Sequence, residues 1–227
     1  NVTLDWYTSK TKDLLYTYTV PVPPFTYNTL LANMGQMTNS GFEIGVRGDI
    51  IRTKDFTFNS GLNLSFQQNK LNTLSGTYKG QALTTSEHIA VANINAAGLT
   101  QNTGVTYLIE GQPIGVFYLP HCEGINANGQ YIITDLDKNG TIDTGDSGDR
   151  YVCGQAIPKA YLGWDFTFKY KNWDLAMQFN GAFGHKIYNG TGMTYSNMNN
   201  FPTYNVLADA PEKGIKDIQI SDYWLEK

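Results

Sequence analysis

Strict period-two alternation constrains this 227-residue chain more than any other feature. From Phe56 to Gln67 the even positions read Phe56, Phe58, Ser60, Leu62, Leu64 and Phe66, and the odd positions Thr57, Asn59, Gly61, Asn63, Ser65 and Gln67. Successive side chains of a strand point to opposite faces, so this segment has one apolar and one polar face. The pattern returns from Leu162 to Tyr170 and from Trp173 to Phe183. A fourth strand is expected from Phe42 to Ile51, with Phe42, Ile44, Val46 and Ile50 opposite Glu43, Arg47 and Asp49. The opening residues, with Val2, Leu4 and Trp6 against Thr3, Asp5 and Tyr7, form a weaker fifth.

Composition supports strands over helices. Charged residues are 16% of the chain against roughly 25% in ordinary soluble domains, while aromatics reach 13%. Thr, Asn and Gly supply the polar surface, a mixture that favours strands and turns and disfavours a helical bundle. The net charge of -4 gives no footprint for a nucleic-acid backbone. No apolar run approaches the roughly 20 residues of a helical membrane span, which leaves a membrane β-barrel open. The first residues, Asn1 to Lys10, lack the basic-then-apolar layout of a secretory signal.

The connections sort into two classes. Residues 52–55 and 171–172 are tight hairpins at one end of the sheet, whereas residues 11–37, 72–158 and 185–227 are long segments at the other. With Phe56, Tyr170 and Trp173 at strand ends, this layout fits an antiparallel transmembrane β-barrel. The alternative is a soluble β-sandwich, whose inner faces also alternate. Five strands cannot enclose a membrane barrel, which needs about eight, so the chain is expected to be a piece of a larger one. Its end at Glu226 and Lys227, outside any amphipathic strand, supports the same expectation.

The sharpest local motif is DLDKNGTIDTGD, from Asp135 to Asp146. Oxygen ligands fall at positions 1, 3 and 5 (Asp135, Asp137, Asn139), glycine at position 6 (Gly140), and a backbone carbonyl at position 7 (Thr141). Asp143 and Asp146 take positions 9 and 12, and the set has the spacing of a calcium loop. Asp146 is one methylene shorter than the usual glutamate, and neither flank reads as a helix, so a solvated Asx-rich turn is the alternative. An ion here would rigidify the segment and carry no catalysis.

Cys122 and Cys153 bracket the motif. They fit a disulfide, worth about 3 to 4 kcal/mol over a loop of roughly 30 residues, or two small buried thiols. His88, His121 and His185 lie far apart, and no nucleophile, zinc or phosphate-cradle motif surrounds them, so no enzymatic activity is expected. The triplets at 139–141 and 189–191 read as turns. Tyr107, Phe117, Tyr118, Tyr131, Tyr188, Tyr195 and Tyr204 either stack on a ligand or pack the long segments together, and packing is the reading favoured for each.

Several stretches also carry a family resemblance. TKDLL at 11–15 and NMGQMTNSGFEIGV at 33–46 resemble SusC/RagA-type TonB-dependent transporters of Bacteroidetes outer membranes. GQPIGVFY at 111–118, GINANGQY at 124–131, the acidic segment and IPKAYLGWDFTFKYKNWDLAMQFNGAFGHKIYN at 157–189 follow in the family's order, and SDYWLEK closes the series. The resemblance implies that residues 1–227 are the partial C-terminal region of a 22-stranded barrel, with plug and last strands absent and 72–158 extracellular. It implies residence in the bacterial outer membrane, energy from the TonB complex through parts absent here, and a SusD-like surface lipoprotein as partner. Apolar strand faces would meet outer-membrane lipid, and Asn63, Gln67, Asp165, Lys169, Gln178 and Asn180 a hydrated lumen. The implied cargo is a glycan or, as the chief alternative, a peptide. The competing reading is a soluble, calcium-stabilised β-sandwich that binds glycans or protein.

Overall fold

The computed structural model describes residues 1–93, 104–143, 145, 148–198 and 201–213. Among these the strands are β1 (Val2–Thr19), β2 (Thr29–Arg52), β3 (Phe56–Thr73), β4 (Gly76–Tyr78), β5 (Gln81–Leu83), β6 (His88–Asn93), β7 (Gly104–Ile109), β8 (Val116–Pro120), β9 (Cys122–Ile125), β10 (Tyr131–Ile133), β11 (Arg150–Gln155), β12 (Ala160–Tyr170) and β13 (Trp173–Phe183). Two short helices follow, α1 (Gly190–Tyr195) and α2 (Ala210–Lys213). The chain divides into two compact units. The first holds Asn1–Thr85, Glu110–Pro113 and Ile157–Lys186; the second holds Ser86–Ile109, Ile114–Ala156 and Ile187–Lys227.

The first unit is built on an antiparallel five-stranded sheet of order β1-β2-β3-β12-β13. Its register aligns the alternation across strands. Val2, Val46, Leu62, Trp164 and Phe179 form one apolar row, and Leu4, Ile44, Leu64 and Leu162 the next. Between them lies the polar row Thr3, Gly45, Asn63, Gly163 and Asn180. A one-residue slip would move every apolar side chain to the polar face, so the sequence pattern fixes this register. Ring contacts strengthen the apolar face, including Phe58 stacked on Phe168 at 4.4 Å and Trp164 against Phe179 at 5.4 Å. Yet the face stays open: Leu4 is 64% exposed, Trp6 71% and Trp173 80%. A β-sandwich would bury such a face against a second sheet, whereas a barrel turns it to lipid.

Both tight hairpins form where the sequence puts them. In the β2–β3 turn, Thr53 N–H donates to the Phe56 carbonyl at 2.8 Å and Phe56 N–H donates back to Thr53 Oγ1 at 3.0 Å. The β12–β13 turn places Lys171 at φ +50°, and its N–H donates to the Asp55 carbonyl of the neighbouring hairpin at 2.9 Å.

The strands are longer than the alternation suggests. The expected loop at 11–37 shrinks to residues 20–28, because β1 continues to Thr19 and pairs it with Thr29, the first residue of β2. The alternation breaks off here because register shifts between Thr11, Leu14 and Leu15, with Asp13 at φ +61°, throw the period out of step. A second irregularity between Asp49 and Ile51 leaves Ile50 as the extra residue, so that Ile51 pairs with Phe58. The strand extensions carry their own small core, with Tyr18, Val20, Ala32 and Leu83 buried and Tyr16, Phe25, Leu30, Met34 and Tyr78 packed on them.

The middle segment, expected as one long loop at 72–158, is likewise structured. It contains the β4–β5 hairpin, the β9–β10 pair and a four-stranded antiparallel sheet of order β11-β8-β7-β6. Its strands are three to six residues long, and β8 is buried at every position, so neither gives an alternation to read. Val105, Phe117 and Leu119 form the buried core of the second unit, with Cys153 and Tyr188 packed against it.

Candidate functional site

On the polar face of the five-stranded sheet, side chains of both signs meet across strands. Arg47 Nη2 lies 2.5 Å from Asp165 Oδ1, reaching from β2 to β12 over Gly61 of β3. A Cβ at Gly61 would stand 2.8 Å from both of those atoms, so a larger residue there would push the ends of the Arg47 and Asp165 side chains aside. Asn59 Nδ2 donates to Asp49 Oδ1 at 2.7 Å, and Ser65 Oγ to Glu43 Oε1 at 3.2 Å. Asp5, Glu43, Asn63, Ser65, Tyr161 and Asn180 line an open cavity of about 360 Å³ together with Ile44, Leu64 and Leu162. Such a surface suits a hydrated lumen.

The acidic segment of the second unit folds as a tight turn around carboxylates. Asp135, Asp137 and Asp149 each bring an oxygen within 4.8 Å of the others. Asp135 Oδ2 accepts from Gly140 N–H at 2.8 Å, joining positions 1 and 6 of the motif, and Gly140 sits at φ +86° as that turn requires. The hydrogen bond from Gly140 holds the Asp135 carboxyl below the usual carboxylate range. Asn139 N–H and Nδ2 donate to Asp137, and Asn139 Oδ1 accepts from Thr141 N–H and Oγ1. The Asp143 carboxylate accepts from Gly145 N–H at 2.8 Å, and Asp146 lies outside the described residues.

Asp149 was missed by the sequence reading because it lies three residues beyond the twelve of the motif. It is buried, and its two oxygens accept from the amides of Leu136 at 2.7 Å, Asp137 at 3.4 Å and Asp143 at 2.9 Å. A buried carboxylate is retained only when paired or hydrogen-bonded, and here the turn itself supplies the donors.

The structure carries buried Cys122 and half-buried Cys153 as free cysteines. Cys122 Sγ donates to the Gly124 carbonyl at 3.1 Å, and Cys153 Sγ to the Phe117 carbonyl at 3.4 Å. Most of the singled-out aromatics pack: Tyr107, Phe117 and Tyr118 are buried, Tyr188 lies against the core, and burial pushes the Tyr131 hydroxyl well up. Tyr195 and Tyr204 remain exposed. His88 stacks on Tyr118 at 4.2 Å, His121 Nδ1 lies 2.8 Å from Thr134 Oγ1, and His185 joins neither. The 189–191 triplet opens α1, where Asn189 Oδ1 caps the helix by accepting from Gly192 N–H, in place of the expected turn.

One further feature was absent from the sequence reading. In the first unit, Pro24, Phe25, Thr26, Tyr27, Thr29, Leu30, Tyr78, Lys79 and Gln81 line an open cleft of about 510 Å³. The proline–aromatic cluster PVPPFTY at 21–27 was the available signal, and it lay inside a segment read only as loop.

The family model described as TonB dependent receptor-like, beta-barrel matches residues 1–181. TonB-dependent receptor P26 of Formosa agariphila is 30% identical over 95% of this chain and 22% of its own length. TonB-dependent receptor P3 of the same organism is 25% identical over 99% of this chain and 23% of its own. TonB-dependent receptor SusC of Bacteroides thetaiotaomicron is 27% identical over 82% and 18%. Among solved structures, the RagAB peptide importer in its open-open state superposes with a TM-score of 0.70 at 19% identity, covering 99% of this chain and 24% of that one. The chain thus spans less than a quarter of the length of these relatives.

Proposed function

The chain belongs to the TonB-dependent receptor-like β-barrel family, and from that premise we propose that the protein of which it is a part imports a nutrient through the outer membrane without chemically changing it. The observation that carries this reading is the five-stranded sheet itself, apolar and exposed on one face and polar on the other. In a closed barrel the first face meets lipid and the second a water-filled lumen. The strands β12 and β13, at 11 residues each, match the roughly 9 to 11 residues of a bilayer crossing, while β1, β2 and β3 run past it. On this reading the hairpins at 53–55 and 171–172 face the periplasm, and the segments after β1, β3 and β13 face outward.

The finer reading assigns a glycan as cargo, a SusD-like lipoprotein as the outer partner and the TonB complex as the energy source. The likeness to SusC supports it; the likeness to the RagAB peptide importer keeps a peptide as the competing cargo. Deleting the gene in its native host and measuring growth on single glycans tests both. Loss of growth on a glycan, reproduced by loss of TonB and by collapse of the proton gradient, is the expected result. Normal glycan uptake with lost peptide uptake would transfer the assignment to peptides, and a purely soluble polypeptide in cell fractions would sink the barrel.

We further propose that the acidic turn takes a structural Ca²⁺. Asp135, Asp137 and Asp149 offer hard oxygen ligands, and the carbonyl of Thr141 stands at the position such loops use. Asp135→Ala combined with Asp137→Ala is expected to abolish calcium-dependent protection of the segment from proteolysis. Unchanged protection would leave the segment an ordinary Asx-rich turn.

A further inference from the structure

The cleft in the first unit is built on a fixed floor. Tyr18, Val20, Ala32 and Leu83 are buried beneath it, and Phe25, Leu30 and Tyr78 pack on them, so the ring walls at Phe25 and Tyr78 are set by the core. The rim segment is also constrained: Val20 N–H donates to the Asn28 carbonyl at 2.9 Å, Phe25 N–H to that of Pro21 at 3.3 Å, and three prolines fix φ between them. Opposite, Lys79 and Gly80 form the two-residue turn of the β4–β5 hairpin with φ of +49° and +79°, the twist that such hairpins prefer. That turn holds the Lys79 ammonium 5.5 Å from the centre of the Tyr78 ring. Tyr27 stands 75% exposed at the mouth.

The lining chemistry selects among ligands. Flat ring faces at Phe25, Tyr27 and Tyr78 sit beside hydroxyl, amide and ammonium donors at Thr26, Thr29, Gln81 and Lys79. Among the described residues that line the cleft, Lys79 is the one cation and no carboxylate is present, so a ligand's amino groups find no counter-charge there, while hydroxyls and anionic groups find donors. The volume lies within the about 300 to 1,000 Å³ of small-ligand sites. We propose that this cleft is a binding subsite for a neutral or anionic pyranose unit of the cargo glycan, the sugar's C–H face stacking on Tyr27 and Tyr78 and its hydroxyls or carboxylate meeting Lys79 and Gln81. The assignment rests on the glycan-import reading above and adds where and by what contacts the sugar is held.

The test is calorimetric titration of the full-length receptor in detergent with maltohexaose, laminarihexaose, hexagalacturonate and a random-sequence decapeptide mixture. The wild type is expected to bind a glycan of the panel, with Tyr27→Ala weakening it about tenfold or more and Tyr27→Phe, which keeps the ring, leaving it within about twofold. Lys79→Ala is expected to weaken an anionic glycan more than a neutral one. Glycan binding unchanged in both Tyr27→Ala and Lys79→Ala overturns the cleft assignment and leaves glycan import standing. A wild type that binds the peptides and no glycan overturns both, and peptide binding lost in Tyr27→Ala would give the cleft to the peptide. Heat-modifiable gel mobility, compared between variants and wild type, separates a binding loss from a folding loss.

Discussion

The five-stranded sheet and the second unit handle apolar side chains in opposite ways. In the sheet, Leu4, Trp6, Phe179 and Phe183 project from one face and remain exposed. In the second unit, β8 runs Val116, Phe117, Tyr118, Leu119 and Pro120 with every residue buried, Val116 at 1%. The second unit makes its own hydrophobic core, whereas the sheet buries one only at the β1 and β2 extensions around Tyr18 and Ala32. This difference marks where the membrane belongs. A face of aligned Val, Leu, Trp and Phe rows is costly in water and stabilising in lipid, whereas β8 buries its apolar side chains within its own unit.

Breaking the internal core should have the largest effect. Phe117→Ala is expected to destabilise the second unit by about 3 to 5 kcal/mol, through lost transfer energy and the cavity left beside Val105 and Leu119. Faster proteolysis within residues 104–155, with strands β12 and β13 still protected, would be its signature. Next comes the lipid test. Leu64→Arg should lower bilayer folding stability by about 2 to 4 kcal/mol if this face meets the midplane, while the adjacent Asn63→Arg on the polar face should cost much less. Equal costs at the two positions, measured by denaturant titration in liposomes, would remove the distinction between the faces.

A smaller effect is expected at the acidic turn. Asp149→Ala strips the acceptor from the amides of Leu136, Asp137 and Asp143 and should cost about 1 to 3 kcal/mol of local stability, visible as faster amide exchange at those three positions. The smallest effect concerns Glu110. Burial raises its carboxyl, but hydrogen bonds from Leu74 N–H, Ser75 Oγ and N–H, and Thr73 Oγ1 together hold it below the usual range. A carboxyl lowered on folding contributes stability above its unfolded pKa and loses it as pH falls through the folded one. The anchoring of Glu110 to the end of β3 should therefore weaken in acid, and Glu110→Gln should flatten that dependence. A wild-type acid profile identical to that of the variant would show that the carboxylate does not clamp the strand.

The sheet was legible in the sequence because each of its strands satisfies two requirements at once, pairing along its edges and one solvent on each face, and that leaves a period-two record. The strands β3, β12 and β13 and the two hairpins follow from that record, whereas the pairing of β3 with β12 across the long middle segment does not. The acidic motif was legible for a similar reason, since a tight turn needs Asp135, Asn139 and Gly140 at fixed spacing. Where the backbone broke step, as at Asp13, the record stopped and strand was read as loop.

The sequence by itself determined, then, that this protein builds antiparallel strands with two unlike faces and an Asx-rich turn, because those are local and periodic constraints. Only the tertiary structure decided that Asp149 completes the carboxylate group, that Cys122 and Cys153 bond to backbone carbonyls, and that Phe25, Tyr27, Tyr78 and Lys79 enclose one cleft. Strand pairing and packing bring Tyr27 to Tyr78, Cys153 to the Phe117 carbonyl and Asp149 to Asp135 from 51, 36 and 14 positions away, and no local periodicity encodes those meetings.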